Sequence, residues 1–189
     1  KGLKGYFWAF PCPNGLINIG LGVNKSENSE SLQNLLGNFI KTVPELTLGQ
    51  NFIERPKIWP LRTGLRRGKN HSNRILLAGE NVDCTYNLSG EGIGKALLSG
   101  MIASRVLNNS EGNFTAANLS VYDGLLNDSM KSIHDGYTLA NKIAYGPLTD
   151  FYLSLFKYFP QAFNVFNEIA REEKDPKELL TVRGIVKSL

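Results

Sequence analysis

A chain of 189 residues can bury one sizeable core with a smaller appendage, and 42% hydrophobic with 20% charged residues is the balance of a globular protein, not a disordered one. A net charge of +4, with Lys and Arg scattered instead of gathered in a stripe, argues against nucleic acid as a partner. Cys12 and Cys84 are too few for a disulfide scaffold, no apolar run reaches the length of a membrane span, and no leader peptide opens the chain, so a reducing, cytoplasmic setting and no metal are expected.

In chain order, Lys4 to Val23 predicts a β-hairpin. Tyr6, Trp8 and Phe10 alternate, Asn14-Gly15 is a tight-turn signal, and Ile17, Ile19 and Leu21 alternate on the return. With Asn14-Gly15 as a two-residue loop, Phe10 faces Ile19, Trp8 faces Leu21 and Tyr6 faces Val23. The opposite face then carries Phe7, Ala9, Gly20 and Gly22, thin enough for a backbone or flat ligand to lie close. From the residues alone, a hairpin with one face in a core is the preferred reading.

Ser31 to Val43 predicts a helix with Leu32, Leu35, Leu36, Phe39 and Ile40 on one side, stopped near Pro44. Asn51 to Leu61 returns to extended structure anchored by Phe52, Ile53, Ile58 and Trp59, and is expected to join the hairpin's sheet as an edge, given Pro56 and Pro60. Arg62 to Arg74 is a basic connection holding Arg62, Arg66, Arg67, Lys69 and His71. It reads as a solvated loop with His71 at the surface, against the alternative that its arginines hold phosphates.

Arg74 to Gly79 is an unbroken apolar run ended by glycine, which predicts a strand buried on both faces, as in parallel sheets. A polar loop follows, then Gly90-Glu91-Gly92-Ile93-Gly94 and a helix with Ile93, Ala96, Leu97, Met101 and Val106 at helical spacing. A glycine-rich helix start presents backbone N–H groups and the positive end of the helix dipole, which suits an anionic or electron-rich ligand. No G-x-G-x-x-G follows an opening strand, and no second βαβ unit occurs, so this strand has no parallel neighbour within the chain. Asn108 to Asn118 reads as a linker. Leu119 to Tyr137 predicts one long amphipathic helix, and Phe151–Tyr158, Phe163–Ala170 and Asp175–Val182 predict shorter ones. The aromatics Phe151, Tyr152, Phe156, Tyr158, Phe159, Phe163 and Phe166 read as a helical packing seam, with an isoprenoid tunnel or peripheral membrane contact as alternatives.

Two of these stretches resemble one family. Gly79-Glu80, eight residues, then Ser89-Gly90-Glu91-Gly92-Ile93 resembles the second flavin-binding motif of FAD-dependent oxidoreductases, closest to the geranylgeranyl reductases of the para-hydroxybenzoate-hydroxylase-like group. Tyr6-x-Trp8-x-Phe10-Pro11, then eight residues, then Gly20-x-Gly22, resembles the sequence that those reductases use along the substrate cavity. The resemblance implies FAD as cofactor, bound by Gly79, Glu80, Ser89, Gly90, Glu91, Gly92 and Ile93. It also implies a polyprenyl substrate against Tyr6, Trp8, Phe10, Gly20, Gly22 and Trp59, and NAD(P)H or ferredoxin as electron donor. No residue stands out as the proton donor; Cys84, within the loop, reads as a small buried thiol. Glu91 is expected to turn from the flavin and cap the helix. Three positions depart from the family: Glu80 for Asp, Asp83 for Gly and Asn87 for Pro.

The implied fold is α/β overall and α+β within this chain. An antiparallel substrate-cavity sheet with one helix spans 1–68, a strand-loop-helix of the FAD-binding domain spans 69–108, and a helical region spans 109–189. The N-terminal dinucleotide-binding βαβ unit is expected in a missing N-terminal half of the same protein. The functional expectation is reduction of carbon–carbon double bonds by hydride from FADH2. Alternatives are an FAD-dependent aromatic monooxygenase, and a noncatalytic hydrophobic-ligand domain with a degenerate flavin site.

Overall fold

The computed structural model describes residues 5–23, 32–43, 45, 57–147, 164, 167–169 and 171–177. The chain divides into two compact units, Lys1–Pro60 and Leu61–Leu189.

In the first unit, β1 (Gly5–Pro11) and β2 (Ile17–Val23) form a two-stranded antiparallel sheet. Its register differs by one residue from the sequence expectation: Phe10 pairs with Asn18, Trp8 with Gly20 and Tyr6 with Gly22. The cause is Pro13, which has no N–H to contribute to a closing pair. The ladder instead closes at Cys12, whose N–H donates to the Leu16 carbonyl at 2.7 Å. That leaves a three-residue loop, Pro13–Gly15, in which Asn14 and Gly15 both take positive φ. Because side chains alternate with period 2, the slip moves the glycines to the aromatic face. The expected thin face of Phe7, Ala9, Gly20 and Gly22 therefore does not form.

Helix α1 (Leu32–Thr42) lies within a residue of its expected span, buries Ile40, and stacks Phe39 on Phe7 with ring centroids 3.9 Å apart. Phe7 is thus committed to the helix, on the face opposite Tyr6, Trp8 and Phe10. Of the expected third strand, 57–60 is exposed and without regular structure, and 51–56 lies outside the described residues, as does Pro44.

In the second unit, β3 (His71–Ser72) and β4 (Ile75–Leu76) form a tight antiparallel hairpin about Asn73-Arg74. This corrects the expectation of a strand buried on both faces at Arg74–Gly79. Arg74 takes φ 61 to reverse the chain, and Ile75 is 54% exposed. The apolar run resolves into a hairpin and then a 3-10 turn, Gly79–Val82. The segment 63–66 lies along 82–85 through a parallel bridge between Thr63 and Thr85 and hydrogen bonds from Gly64 to Thr85 and Leu65 to Asp83.

Helix α2 (Ile93–Asn109) follows, then α3 (Ala116–Leu119) and α4 (Val121–Ala144). The expected single helix over 119–137 is divided at Ser120 and continues to Ala144. Thr115 caps α3 by accepting from the Asn118 N–H. Tyr122, Leu126, Met130, His134 and Tyr137 recur every three or four residues along α4 and are all buried. The upper part of that stripe joins Leu65, Val82, Cys84, Ile102, Val106 and Leu119 in the main core. Its lower part meets Tyr86 and Ile169 in a second cluster. The expected helix 151–158, most of 163–170 and the end of 175–182 lie outside the described residues, as does the aromatic set from Phe151 to Phe166.

Candidate functional site

On the hairpin, the alternating aromatics make a ledge. Trp8 lies 6.1 Å from Tyr6 and 6.3 Å from Phe10 by ring centroids, and its indole N–H donates to Asn18 Oδ1 at 2.9 Å. The indole rests on Gly20, where an added Cβ would fall 2.1 Å from the ring. Gly22 has ordinary contact distance, 3.7 Å, to the Tyr6 ring. The structure brings Tyr6, Trp8, Phe10, Gly20 and Gly22 to one face, and Gly20 makes room there for the chain's own tryptophan. Tyr6 and Phe10 are exposed, and partial burial raises the Tyr6 phenol above its usual range. Trp59 is 79% exposed and makes no part of the ledge's ring contacts.

In the second unit, the turn from Gly79 to Ile93 is built from hydrogen bonds. The Gly79 N–H donates to Ser99 Oγ at 2.8 Å, and the Ser99 hydroxyl donates to the Ala96 carbonyl at 2.8 Å, so a fully buried serine ties the turn to α2. The Cys84 thiol donates to the Gly79 carbonyl at 3.1 Å, and burial pushes its pKa up, in keeping with a packed thiol. Tyr86 N–H donates to the Glu91 carbonyl and Gly90 N–H to the Tyr86 carbonyl, closing the loop on itself. Glu91 Oε1 accepts from the Gly94 N–H at 2.9 Å, capping α2. Among the described residues, the N–H groups of Gly92 and Ile93 donate to no acceptor. Two donors of an opening helix turn are therefore available at its positive end.

The departures at Asp83 and Asn87 have structural explanations. Asp83 sits at φ 54, the left-handed region that glycine favours and aspartate tolerates, so the turn survives the exchange. Asn87 donates to Thr138 Oγ1 at 3.3 Å, holding the loop to α4. Glu80 is exposed, and its Oε1 accepts from the Arg62 backbone N–H at 3.2 Å. Gly79, Ser89, Gly90, Glu91 and Gly92 are partly buried around the same turn, with Ile93 exposed at its end.

Around this turn stand side chains whose partners sequence reasoning did not give. Tyr86 stacks on Tyr137 at 4.0 Å and tilts against His134 at 4.7 Å. Lys95 Nζ lies 5.0 Å from the Tyr86 centroid and 2.6 Å from Glu172 Oε2. The pairing with Glu172 outweighs Lys95's partial burial and raises its pKa. His134 is buried with neither ring nitrogen hydrogen-bonded among the described residues, and burial lowers its pKa to about 4. His71, expected at the surface, has a side chain only 7% exposed, and its Nδ1 lies 2.8 Å from Asp123 Oδ2. It clamps the hairpin to α4. Only Ser99 left a sequence signal, through its spacing of three and seven from Ile102 and Val106; the others depend on partners far away in the chain.

Helix α2 also corrects its predicted face. Ala96 and Val106 pack on the core, but Ile93, Leu97 and Met101 are 81%, 66% and 69% exposed.

Residues 3–55 match the family model described as the geranylgeranyl reductase catalytic domain. The chain is 29% identical over 140 residues to digeranylgeranylglycerophospholipid reductase 2 of Methanosphaera stadtmanae, an alignment covering 73% of this chain and 35% of that protein. It is 27% identical over 142 residues to digeranylgeranylglycerophospholipid reductase of Thermoplasma volcanium, covering 69% and 33%. A crystal structure from Thermoplasma acidophilum, described as geranylgeranyl bacteriochlorophyll reductase-like, has the same fold at a TM-score of 0.60 and 22% identity, over 74% of this chain and 36% of that one. The chain spans about a third of the length of these relatives. By family model over 3–55, by relatives and by fold, this chain is similar to the geranylgeranyl reductases.

Proposed function

We propose that this chain carries the substrate ledge and the second flavin-binding turn of an oxidoreductase that reduces polyprenyl double bonds. The observation that carries the reading is the ledge itself: three exposed or half-buried aromatic rings in a row, inside the stretch that matches the catalytic-domain model. A long isoprenoid chain is apolar and flat at each alkene, and it would bury both its own surface and theirs by lying along Tyr6, Trp8 and Phe10. Gly20 and Gly22 keep that surface low, and Asn18 fixes the indole through its N–H. Trp59 is proposed as a further contact for the same ligand.

FAD fits the second unit's turn. Gly79 and Gly90 take positive φ, and the free N–H groups of Gly92 and Ile93 would face the electron-rich edge of the isoalloxazine. Glu80 would hold a hydroxyl of the ribityl chain, and Ser89 and Glu91 shape the turn. When bound, the reduced flavin would be the source of hydride for one alkene carbon, the other taking a proton. The chain's part is to keep the turn's donors aimed where negative charge collects on reduction. The rest of the cofactor site, including the dinucleotide-binding βαβ unit, is assigned to the remaining two thirds of the protein, with NAD(P)H or ferredoxin as electron source.

The test uses full-length protein. It should carry a flavin absorbance band and, after anaerobic reduction, convert a digeranylgeranyl glycerophospholipid to products heavier by one H2 per alkene. Oxygen-dependent gain of an oxygen atom, or colourless protein that binds no flavin, would overturn the reading.

A further inference from the structure

A lysine stands where a helix least accommodates a positive charge. The first turn of α2 holds no acidic side chain, and its charged residue is Lys95, close to the free N–H groups of Gly92 and Ile93. The helix dipole is positive at that end, so an unpaired cation there is disfavoured. Pairing with Glu172 Oε2 at 2.6 Å removes the conflict, and the two side chains are only 17% and 32% exposed. Lys95 Nζ also lies 5.0 Å from the centre of the Tyr86 ring. Tyr86 in turn closes the loop through its backbone bonds to Glu91 and Gly90. The ion pair therefore sits directly on the turn, within the second unit.

Glu172 is delivered from a fixed base on α4. The Tyr137 hydroxyl donates to the Ile169 carbonyl at 2.5 Å, and Lys177 Nζ donates to Ser132 Oγ at 2.9 Å. Gly136 lets the segment lie close, since an added Cβ would fall 3.0 Å from Asp175 Oδ1 and 3.5 Å from Pro176. Glu172 N–H donates to the Ile169 carbonyl at 3.0 Å and Glu173 N–H to the Glu168 carbonyl at 2.9 Å, the pair of bonds that closes a helix on a left-handed residue. Glycine is usual at that position, yet Glu172 holds it, at φ 60. We propose that Glu172 is a positioning residue for the flavin turn: by holding Lys95 and offsetting its charge, it sets the electrostatic potential at the free Gly92 and Ile93 N–H groups. The consequence for the cofactor rests on the flavin reading above, under which that potential governs how far reduced flavin is favoured over oxidised.

The experiment compares full-length protein with Glu172→Gln, Lys95→Gln and the double variant, all of which keep Glu91 and the rest of the turn. In flavin-stripped protein, hydroxide-catalysed hydrogen exchange at the unbonded Gly92 and Ile93 amides follows the local potential. Glu172→Gln, which leaves Lys95 unbalanced, should speed that exchange roughly threefold, and Lys95→Gln, which leaves Glu172 unbalanced, should slow it by a similar factor. The double variant should return close to the parent rate. In flavin-loaded protein the two-electron potential should move with the same signs, up in Glu172→Gln and down in Lys95→Gln. A threefold change in that equilibrium is about 15 mV. A brace that only holds the fold would loosen the turn in both single variants. Exchange that changes in one direction for both, or for neither, would therefore overturn the role of Glu172. Exchange split by sign with potentials unmoved would uphold that role and overturn the placing of flavin against these donors. Protein that takes up no flavin would overturn the flavin reading, while the exchange rates still decide the role of Glu172.

Discussion

Gly20 and Gly22 alternate along the same strand and look interchangeable, yet the rings above them set different limits. A methyl group at Gly20 would enter the Trp8 indole, whereas one at Gly22 meets Tyr6 at an ordinary distance. Gly20→Ala should swing the indole off β2, break its bond to Asn18 and cost about 1 kcal/mol. Trp8 fluorescence should report the move as a red shift, and ledge binding of a short isoprenoid should fall with it. Gly22→Ala should leave both unchanged. Glu91 offers a second residue-scale case. Glu91→Ala strips the cap from α2 and should cost about 1 kcal/mol in urea unfolding. Glu91→Gln keeps an oxygen for the Gly94 N–H and should recover most of it.

Among the elements, α4 carries the clearest pH liability. Its buried stripe includes His134, which faces Tyr86 and feels Lys95 as a repulsive charge and Asp135 and Glu172 as weaker attractive ones. The folded pKa, about 4, lies below the usual 6.5, so the unfolded chain binds the proton more readily. Stability from this group is therefore complete above about pH 6.5 and declines as pH falls toward 4, by up to about 3 kcal/mol. Chemical unfolding at pH 7.5 and 4.5 should reveal the decline, and His134→Phe should flatten it. Element boundaries also explain where sequence reading failed. The hairpin and α1 were legible because alternation and helical spacing are local. The register was not, because Pro13 removes a donor from the pair that an Asn-Gly loop would close. The run from Arg74 to Gly79 had the composition of a buried strand, but the chain reverses at Arg74, whose positive φ no apolar pattern announces. The pairings of His71, Tyr86 and Lys95 were invisible because Asp123, Tyr137 and Glu172 lie far away in sequence.

At the scale of the whole chain, the exposed line of Ile93, Leu97 and Met101 is a contiguous apolar strip of the kind that drives association. Leu97→Gln should reduce self-association of the chain in sedimentation velocity while changing unfolding free energy by no more than about 0.5 kcal/mol. Unchanged association would mean that the strip is not the sticky surface.

Gly92 has one more implication. Thr85 occupies the space a side chain would need there, its Oγ1 falling 2.5 Å from where a Cβ would stand. The entry to α2 is thereby wedged against the segment that holds Asp83 and Cys84. Whatever docks at this corner meets a template already set during folding, with little backbone freedom left to surrender. Association there should be fast and carry a small entropic penalty, and Gly92→Ala, whose methyl collides with Thr85 and displaces the helix entry, should slow and weaken capture.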